Sequence, residues 1–286
     1  MTRLPFVTWG LLIVGAPWLA TSQTPTFTTR VEAVRVDVLV TDHGAPVRGL
    51  QASDFEILDN GVAQQVDLAS FEQIPLNVVL VLDMSYSVEG TRLGHLQSAS
   101  GALLDALSPT DQAALLTFSH AVVLRQRLTK NLGLVRTALG KAGASGDTAL
   151  VDAAFAAIML GESDVGRSLL VVFSDGLDTS SWLAPDRVLQ TANRADVVAY
   201  GVSVGTLTTE PFLKDLVDAT GGTLFEVEST ANLSGVFLRV LNEFRQRYLL
   251  SYTPQGVSKE GWHRLDVRVK GRRVAIKARP GYLAGS

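Results

Sequence analysis

Asp83, Ser85 and Ser87 stand two residues apart in the run Asp83-Met84-Ser85-Tyr86-Ser87. A carboxylate and two hydroxyls at that spacing project to the same side of an extended chain. Farther along, Thr148 stands in Gly146-Asp147-Thr148, and Asp175 precedes Gly176. These five residues make an all-oxygen donor set, which suits a hard divalent cation. Magnesium is the first expectation, with manganese or calcium as substitutes. Two carboxylates and three neutral hydroxyls leave such an ion under-neutralised and one ligand short of an octahedron. The expected chemistry is therefore binding, with the open position taken by an acidic side chain of a protein partner.

Both acids end apolar runs. Residues 77–82 lead into Asp83, and residues 170–174 lead into Asp175. Continuous apolar runs of this length read as strands buried on both faces of a parallel sheet. Ligands of open α/β sheets gather at the carboxyl ends of such strands. Strands are expected over 77–83, 113–118, 121–127, 168–174, 197–204 and 223–227. Helices are expected over 91–107, 131–141, 150–160, 185–194, 211–220 and 233–247. Pro185 and Pro211 suit first helical turns, and Gly221 suits a C-cap. The second and third strands are close enough in sequence to form a hairpin, which leaves one antiparallel edge. The pattern predicts an α/β fold with a doubly wound, mostly parallel six-stranded sheet.

On either side of this stretch the apolar period is two. Val34, Val36, Val38 and Val40 alternate with Arg35, Asp37 and Leu39. Asp59-Asn60-Gly61 separates two short apolar runs, a strong hairpin signal. After residue 246, residues 248–253 read as a strand, and 263–270 and 273–278 are expected to pair across Gly271-Arg272. Neither end is large enough to bury a core alone. The ends are therefore expected to fold together into a smaller β-sandwich, with the α/β domain inserted. The expected organisation is a leader over 1–22, sandwich over 23–74, α/β domain over 75–245 and sandwich again over 246–286.

Arg3 precedes an apolar stretch from Leu4 to Ala20, and Ala20-Thr21-Ser22 resembles a cleavage site. This reads as a secretory signal peptide, or else as an N-terminal anchor. The expectation is an exported protein, periplasmic, extracellular or envelope-associated, with no other membrane span. The 286 residues are 47% hydrophobic, carry a net charge of −3 and include no cysteine. That excludes disulfides and thiolate metal sites. It also argues against nucleic-acid binding, which needs a basic field. Basic residues collect near the C-terminus, but they alternate with apolar ones and read as solvated strand faces.

The Asp83-Met84-Ser85-Tyr86-Ser87 run, with Thr148 and Asp175-Gly176, resembles the metal-ion-dependent adhesion site of von Willebrand factor type A domains. The motif order, the apolar strands before both acids and the run from Thr148 to Ala153 carry the resemblance. The flanking β segments resemble those of the acidobacterial-type A-domain-related secreted proteins. The resemblance implies that Ser85 and Ser87 ligate a metal directly, that Thr148 does so in the ligand-competent state, and that Asp83 and Asp175 act directly or through water. It implies a non-enzymatic adhesion or assembly protein. Integrin β chains carry paired acids just after the serines for a second ion. Here Val88-Glu89-Gly90 stands in that place, so no second site is expected.

Several rival readings follow from the same residues. The bland one makes Asp147 and Thr148 simple caps of the next helix. A scaffold module of an envelope complex would have the site filled but only hold an assembly together. Gly201-Val202-Ser203-Val204-Gly205 matches a hydrolase nucleophile elbow, with Asp215, Asp218 and His263 downstream. Yet no helix follows Ser203 at once, so catalysis by Ser203 is not expected. The four histidines do not cluster. Trp182 is read as a hydrophobic staple for the helix that starts at Pro185, ahead of the alternative that it forms part of the ligand rim.

Overall fold

The computed structural model describes residues 33–71, 74–162, 166–205 and 211–285. The expected leader over 1–22 and the segment 206–210 lie outside the described residues. The first β segment holds β1 (Val34–Asp42), β2 (Ala45–Pro46), β3 (Phe55–Asp59), β4 (Val62–Gln64) and β5 (Leu68–Ser70). The middle stretch runs β6 (Leu76–Asp83), α1 (Thr91–Asp105), β7 (Gln112–Phe118), β8 (Val122–Thr129), α2 (Leu132–Gly140), α3 (Leu150–Gly161), β9 (Arg167–Ser174), α4 (Pro185–Arg194), β10 (Val197–Val204), α5 (Pro211–Thr220), β11 (Leu224–Val227) and α6 (Leu233–Arg245). The chain then adds β12 (Tyr248–Tyr252), β13 (Gly261–Val269), β14 (Ala275–Lys277) and β15 (Gly281–Ala284).

The middle strands form one sheet in the order β11-β10-β9-β6-β7-β8. Its pairs are parallel except β7 with β8, which is the expected edge hairpin. Every residue of β6 and of β9 is buried, as continuous apolar runs require. Alternation within β6 divides the core in two. Val78, Leu80 and Leu82 pack with α1, α2 and α6, whereas Val79 and Val81 pack with α3, α4 and α5. Helices thus cover both faces, as in other open parallel sheets. Gly221 adopts φ +75° after α5, and a Cβ there would meet the backbone N of Arg279 at 2.3 Å, so only glycine fits this cap.

The two ends of the chain share strands. One sheet runs β14-β1-β12-β5 and another β15-β13-β3-β4. Val36 and Val38 of β1, Phe55 and Ile57 of β3 and Tyr248 and Leu250 of β12 belong to one apolar cluster. The Asn60-Gly61 hairpin forms, with φ +49° and +83° at its centre and Asp59 opposite Val62. The hairpin expected across Gly271-Arg272 does not. β13 already has a partner on each edge, with Val267 opposite Ile57 and His263 opposite Tyr282. A strand has only two edges, so β14 crosses over and pairs Ile276 with Val40 of β1.

Arginines fasten the end sheets to the middle stretch. Arg167, at the start of β9, donates to the Asp37 carboxylate of β1 through Nε at 2.7 Å and through Nη2. Arg247 is fully buried and donates to Tyr200 Oη at 2.9 Å and to the Gly221 carbonyl at 2.7 Å. Buried guanidinium groups are tolerated only when their donors are satisfied in this way. Among the described residues no helix is long and apolar enough to cross a membrane.

Candidate metal centre

Asp83 is the last residue of β6 and is fully buried. Its Oδ1 accepts the Ser85 N–H at 2.9 Å, and its Oδ2 accepts the Ser174 hydroxyl at 2.8 Å. The chain then makes a single 3-10 turn over Tyr86–Val88. That turn brings Ser85 Oγ to 3.0 Å from Ser87 Oγ. Ser87 Oγ in turn donates to Asp175 Oδ1 at 2.5 Å. Three of the five expected residues therefore form one hydrogen-bonded run, and Asp83 joins it through the Ser85 backbone.

Thr148 arrives on a separate loop that is tied to the serine loop by backbone bonds. Ser145 N–H donates to the Met84 carbonyl at 2.7 Å, and Tyr86 N–H donates to the Gly146 carbonyl at 3.0 Å. Gly146 has φ +82°, and a Cβ there would strike the His120 ring. Thr148 Oγ1 borders the turn after Asp175: a Cβ added to Gly176 would lie 3.8 Å from it. Asp83, Ser85, Ser87 and Asp175 thus meet at the carboxyl end of β6 and β9, and Thr148 borders them across the Gly176 turn. Among the described residues no three His, Cys, Asp or Glu cluster together, so a cation here must draw on the hydroxyls.

The simple capping role for Asp147 and Thr148 fails. No side chain of the α3 N-cap region bonds its first turn. Asp178 does so from the loop after β9, where its Oδ1 accepts Leu150 N–H at 2.7 Å and Ser181 Oγ at 2.6 Å. Asp152, in the first turn of α3, returns the contact by accepting the N–H groups of Trp182 and Leu183 at 3.0 and 2.9 Å. These reciprocal bonds lock the loop to the helix.

Two electrostatic features mark the site. Burial, above all, pushes the Asp83 carboxyl up to about 6 from its ordinary 3.8, and the negative charge of Asp175 adds to the rise. Hydrogen bonds from Ser85 and Ser174 oppose it. Asp175, whose side chain is buried, carries a guanidinium: Arg92 Nη1 lies 3.0 Å from its Oδ2 and 3.2 Å from the Ser87 carbonyl. The centre is short of positive charge, and where a cationic group can reach it, one sits. Hard oxygen donors, two close carboxylates and this stand-in cation fit a divalent metal ion.

Exposed apolar side chains stand on the loops that carry these residues. Tyr86 lies between the two serines and Leu177 just past Asp175, and both are exposed. Trp182 is 93% exposed. A staple would be packed against its helix, so the staple reading of Trp182 is wrong. The pinned backbone of the loop holds the indole outward instead.

The sequence reading missed Arg92, Ser174, Asp152 and Asp178. Arg92 could have been flagged, because a cation in the first turn of a helix opposes the helix dipole and needs a partner. The others leave no local signal. Ser203 lies inside β10, opposite Ser174 on one side and Glu226 on the other, so no nucleophile elbow exists there. His263 lies on β13 and bonds Asp59 instead.

A model of the von Willebrand factor type A domain matches residues 77–239, more than half of the chain. Human inter-alpha-trypsin inhibitor heavy chain H4 is 25% identical over 223 residues, which is 71% of this chain and 24% of that protein. The uncharacterized protein sll0103 of Synechocystis is 32% identical over 80 residues, 27% of this chain and 19% of that protein. The chain therefore spans only about a quarter or less of the length of these relatives, 24% and 19%. Among solved structures, a von Willebrand factor type A protein from Catenulispora acidiphila superposes with a TM-score of 0.54 at 13% identity, over 90% of this chain and 75% of that one. Proximal thread matrix protein 1 from the mussel byssus, with a zinc-occupied MIDAS motif, gives 0.54 at 17% identity over 64% and 48%. At these identities the likeness is one of fold.

Proposed function

The chain belongs to the von Willebrand factor type A domain family, and we propose that it is a non-catalytic, exported module that captures a protein ligand through a divalent cation. Asp83, Ser85, Ser87, Thr148 and Asp175 are the residues that hold the ion, with magnesium preferred over manganese or calcium. When bound, the ion supplies an open coordination position for a carboxylate oxygen of the partner. Ser85 and Ser87 present neutral hydroxyls from one loop, so the ion keeps excess positive charge for that carboxylate. Thr148 approaches from the opposite loop. Tyr86, Leu177 and Trp182 offer apolar surface around the polar contact, the pattern of a recognition hot spot with its water-excluding rim.

One observation carries the reading. Ser85 Oγ, Ser87 Oγ and Asp175 Oδ1 form a continuous chain of oxygens, with links of 3.0 and 2.5 Å, beside a buried carboxylate. The shared strands of β1 with β12 and β3 with β13 support reading the ends, 23–74 and 246–286, as one β-sandwich interrupted by the 75–245 domain. The apolar leader pattern supports export. Trp182, held outward by Asp152, supports a protein ligand over a small one.

The direct test is thermal unfolding in magnesium and in chelator. At a hundred times its dissociation constant, the ion is expected to stabilise the wild type by about 2.7 kcal/mol. Ser85→Ala should remove that gain. Equal midpoints in both conditions for the wild type would overturn the proposal. Thr148→Ala distinguishes capture from scaffolding, because a scaffold keeps its assembly when this hydroxyl is lost.

A further inference from the structure

We propose that Arg92 is a tethered competitor for the cation: its guanidinium neutralises Asp175 when no metal is bound and must leave for the ion to enter. The inference rests on the metal reading above and adds a residue that sets the affinity of the site.

The geometry makes the two occupants exclusive. Both oxygens of Asp175 are engaged, Oδ1 by the Ser87 hydroxyl at 2.5 Å and Oδ2 by Arg92 Nη1 at 3.0 Å. An ion that takes oxygen from Ser87 and Asp175 would stand against the same guanidinium, which also bonds the Ser87 carbonyl at 3.2 Å. Like charges this close repel strongly in a partly buried setting.

The position of Arg92 points the same way. It lies in the first turn of α1, a helix of 15 residues, where the exposed backbone N–H groups disfavour a positive charge. Packing does not hold it there, since its side chain is 53% exposed. The ion pair with Asp175 and the bond to the Ser87 carbonyl keep it inward. A long, exposed stem lets the guanidinium swing out to water once those contacts are lost. Without Arg92, the metal-free centre would bring together Asp83 and Asp175 without the guanidinium that now pairs with Asp175.

The test is calorimetric titration of magnesium chloride into the full chain at fixed ionic strength, for wild type, Arg92→Gln, Arg92→Met, Arg92→Lys and Ser85→Ala. Removing the charge is expected to tighten magnesium binding about tenfold or more in Arg92→Gln and Arg92→Met, while Arg92→Lys stays within about threefold of wild type. Thermal unfolding gives the second readout. Arg92→Gln should lower the midpoint in chelator and close that gap at saturating magnesium. Unchanged or weaker binding by Arg92→Gln and Arg92→Met would overturn the inference, because it would make Arg92 a support for Asp175 and not a rival of the ion. If wild type binds and Ser85→Ala does not, that result leaves the metal reading standing. If wild type takes up no magnesium, both fall together.

Discussion

Asp83 and Asp59 are both fully buried carboxylates at the ends of strands, yet their surroundings are opposites. Asp59, at the end of β3, is surrounded by strong partners. Its Oδ1 lies 2.7 Å from His263 Nδ1, and its Oδ2 accepts the hydroxyls of Tyr252 and Tyr282, each at 2.9 Å. Burial, followed by the bond to Asp59, pushes both phenols upward, so they remain donors. The four residues come from β3, β12, β13 and β15 and tie the two end sheets together. Asp83 has a backbone N–H and hydroxyl groups around it, but among the described residues no ion-pair partner. Its neighbour Asp175 pushes it further from ionisation. Asp59 is saturated with donors that serve the fold, whereas Asp83, on the metal reading proposed above, keeps its charge for a ligand.

The contrast can be broken most sharply at Asp59. Asp59→Ala strands an imidazole and two phenols in the core, and the expected cost is about 3–5 kcal/mol in a urea unfolding curve. A loss under about 1 kcal/mol would mean that the node is not a lock.

Asp83 should behave in the opposite way. Its folded pKa of about 6 lies above the ordinary 3.8, so the metal-free folded chain holds this proton more tightly than the unfolded chain. The associated stability is present below about pH 4 and is lost as pH rises through 6, about 3 kcal/mol in all. Asp83→Asn removes that dependence. In chelator at pH 7.5 the variant is expected to be more stable than wild type, and it should gain nothing from magnesium. Wild-type and variant curves that stay parallel from pH 4 to 7 would refute the assignment.

The smallest effects concern the loop after β9. Asp178→Ala uncaps α3 and should cost about 1–2 kcal/mol. Trp182→Ala removes a side chain that touches little, so its melting curve should stay within about 0.5 kcal/mol of wild type. Trp182→Ala is nevertheless the variant expected to weaken ligand capture. A Trp182→Ala loss as large as that of Asp178→Ala would show that the indole supports the fold.

Much of this was legible from residue types alone. Each middle strand and helix left a period of its own, and boundaries moved by only a few residues. Pro185 starts α4 as its ring geometry predicts, and Asn60-Gly61 made the turn that two positive φ angles demand. The hydrogen-bonded run of Asp83, Ser85, Ser87 and Asp175 was legible because Asp, Ser and Ser lie two apart on one segment, and because an acid at the end of an apolar strand is conspicuous. The β13–β14 pairing misled because a Gly-centred turn between two alternating runs looks the same whether or not the neighbouring edges are already filled.

The sequence by itself determined the alternation of buried strands and amphipathic helices and the strand ends at which Asp83 and Asp175 emerge, since burial period and turn chemistry are local properties. Only the tertiary structure decided which distant groups meet. Arg92 reaches Asp175 from α1, Asp178 caps α3 from the loop after β9, and β14 leaves its sequence neighbour to pair with β1. Such contacts join segments that are remote in the chain, and a pair of side chains brought together by packing leaves no periodicity along the sequence to announce it.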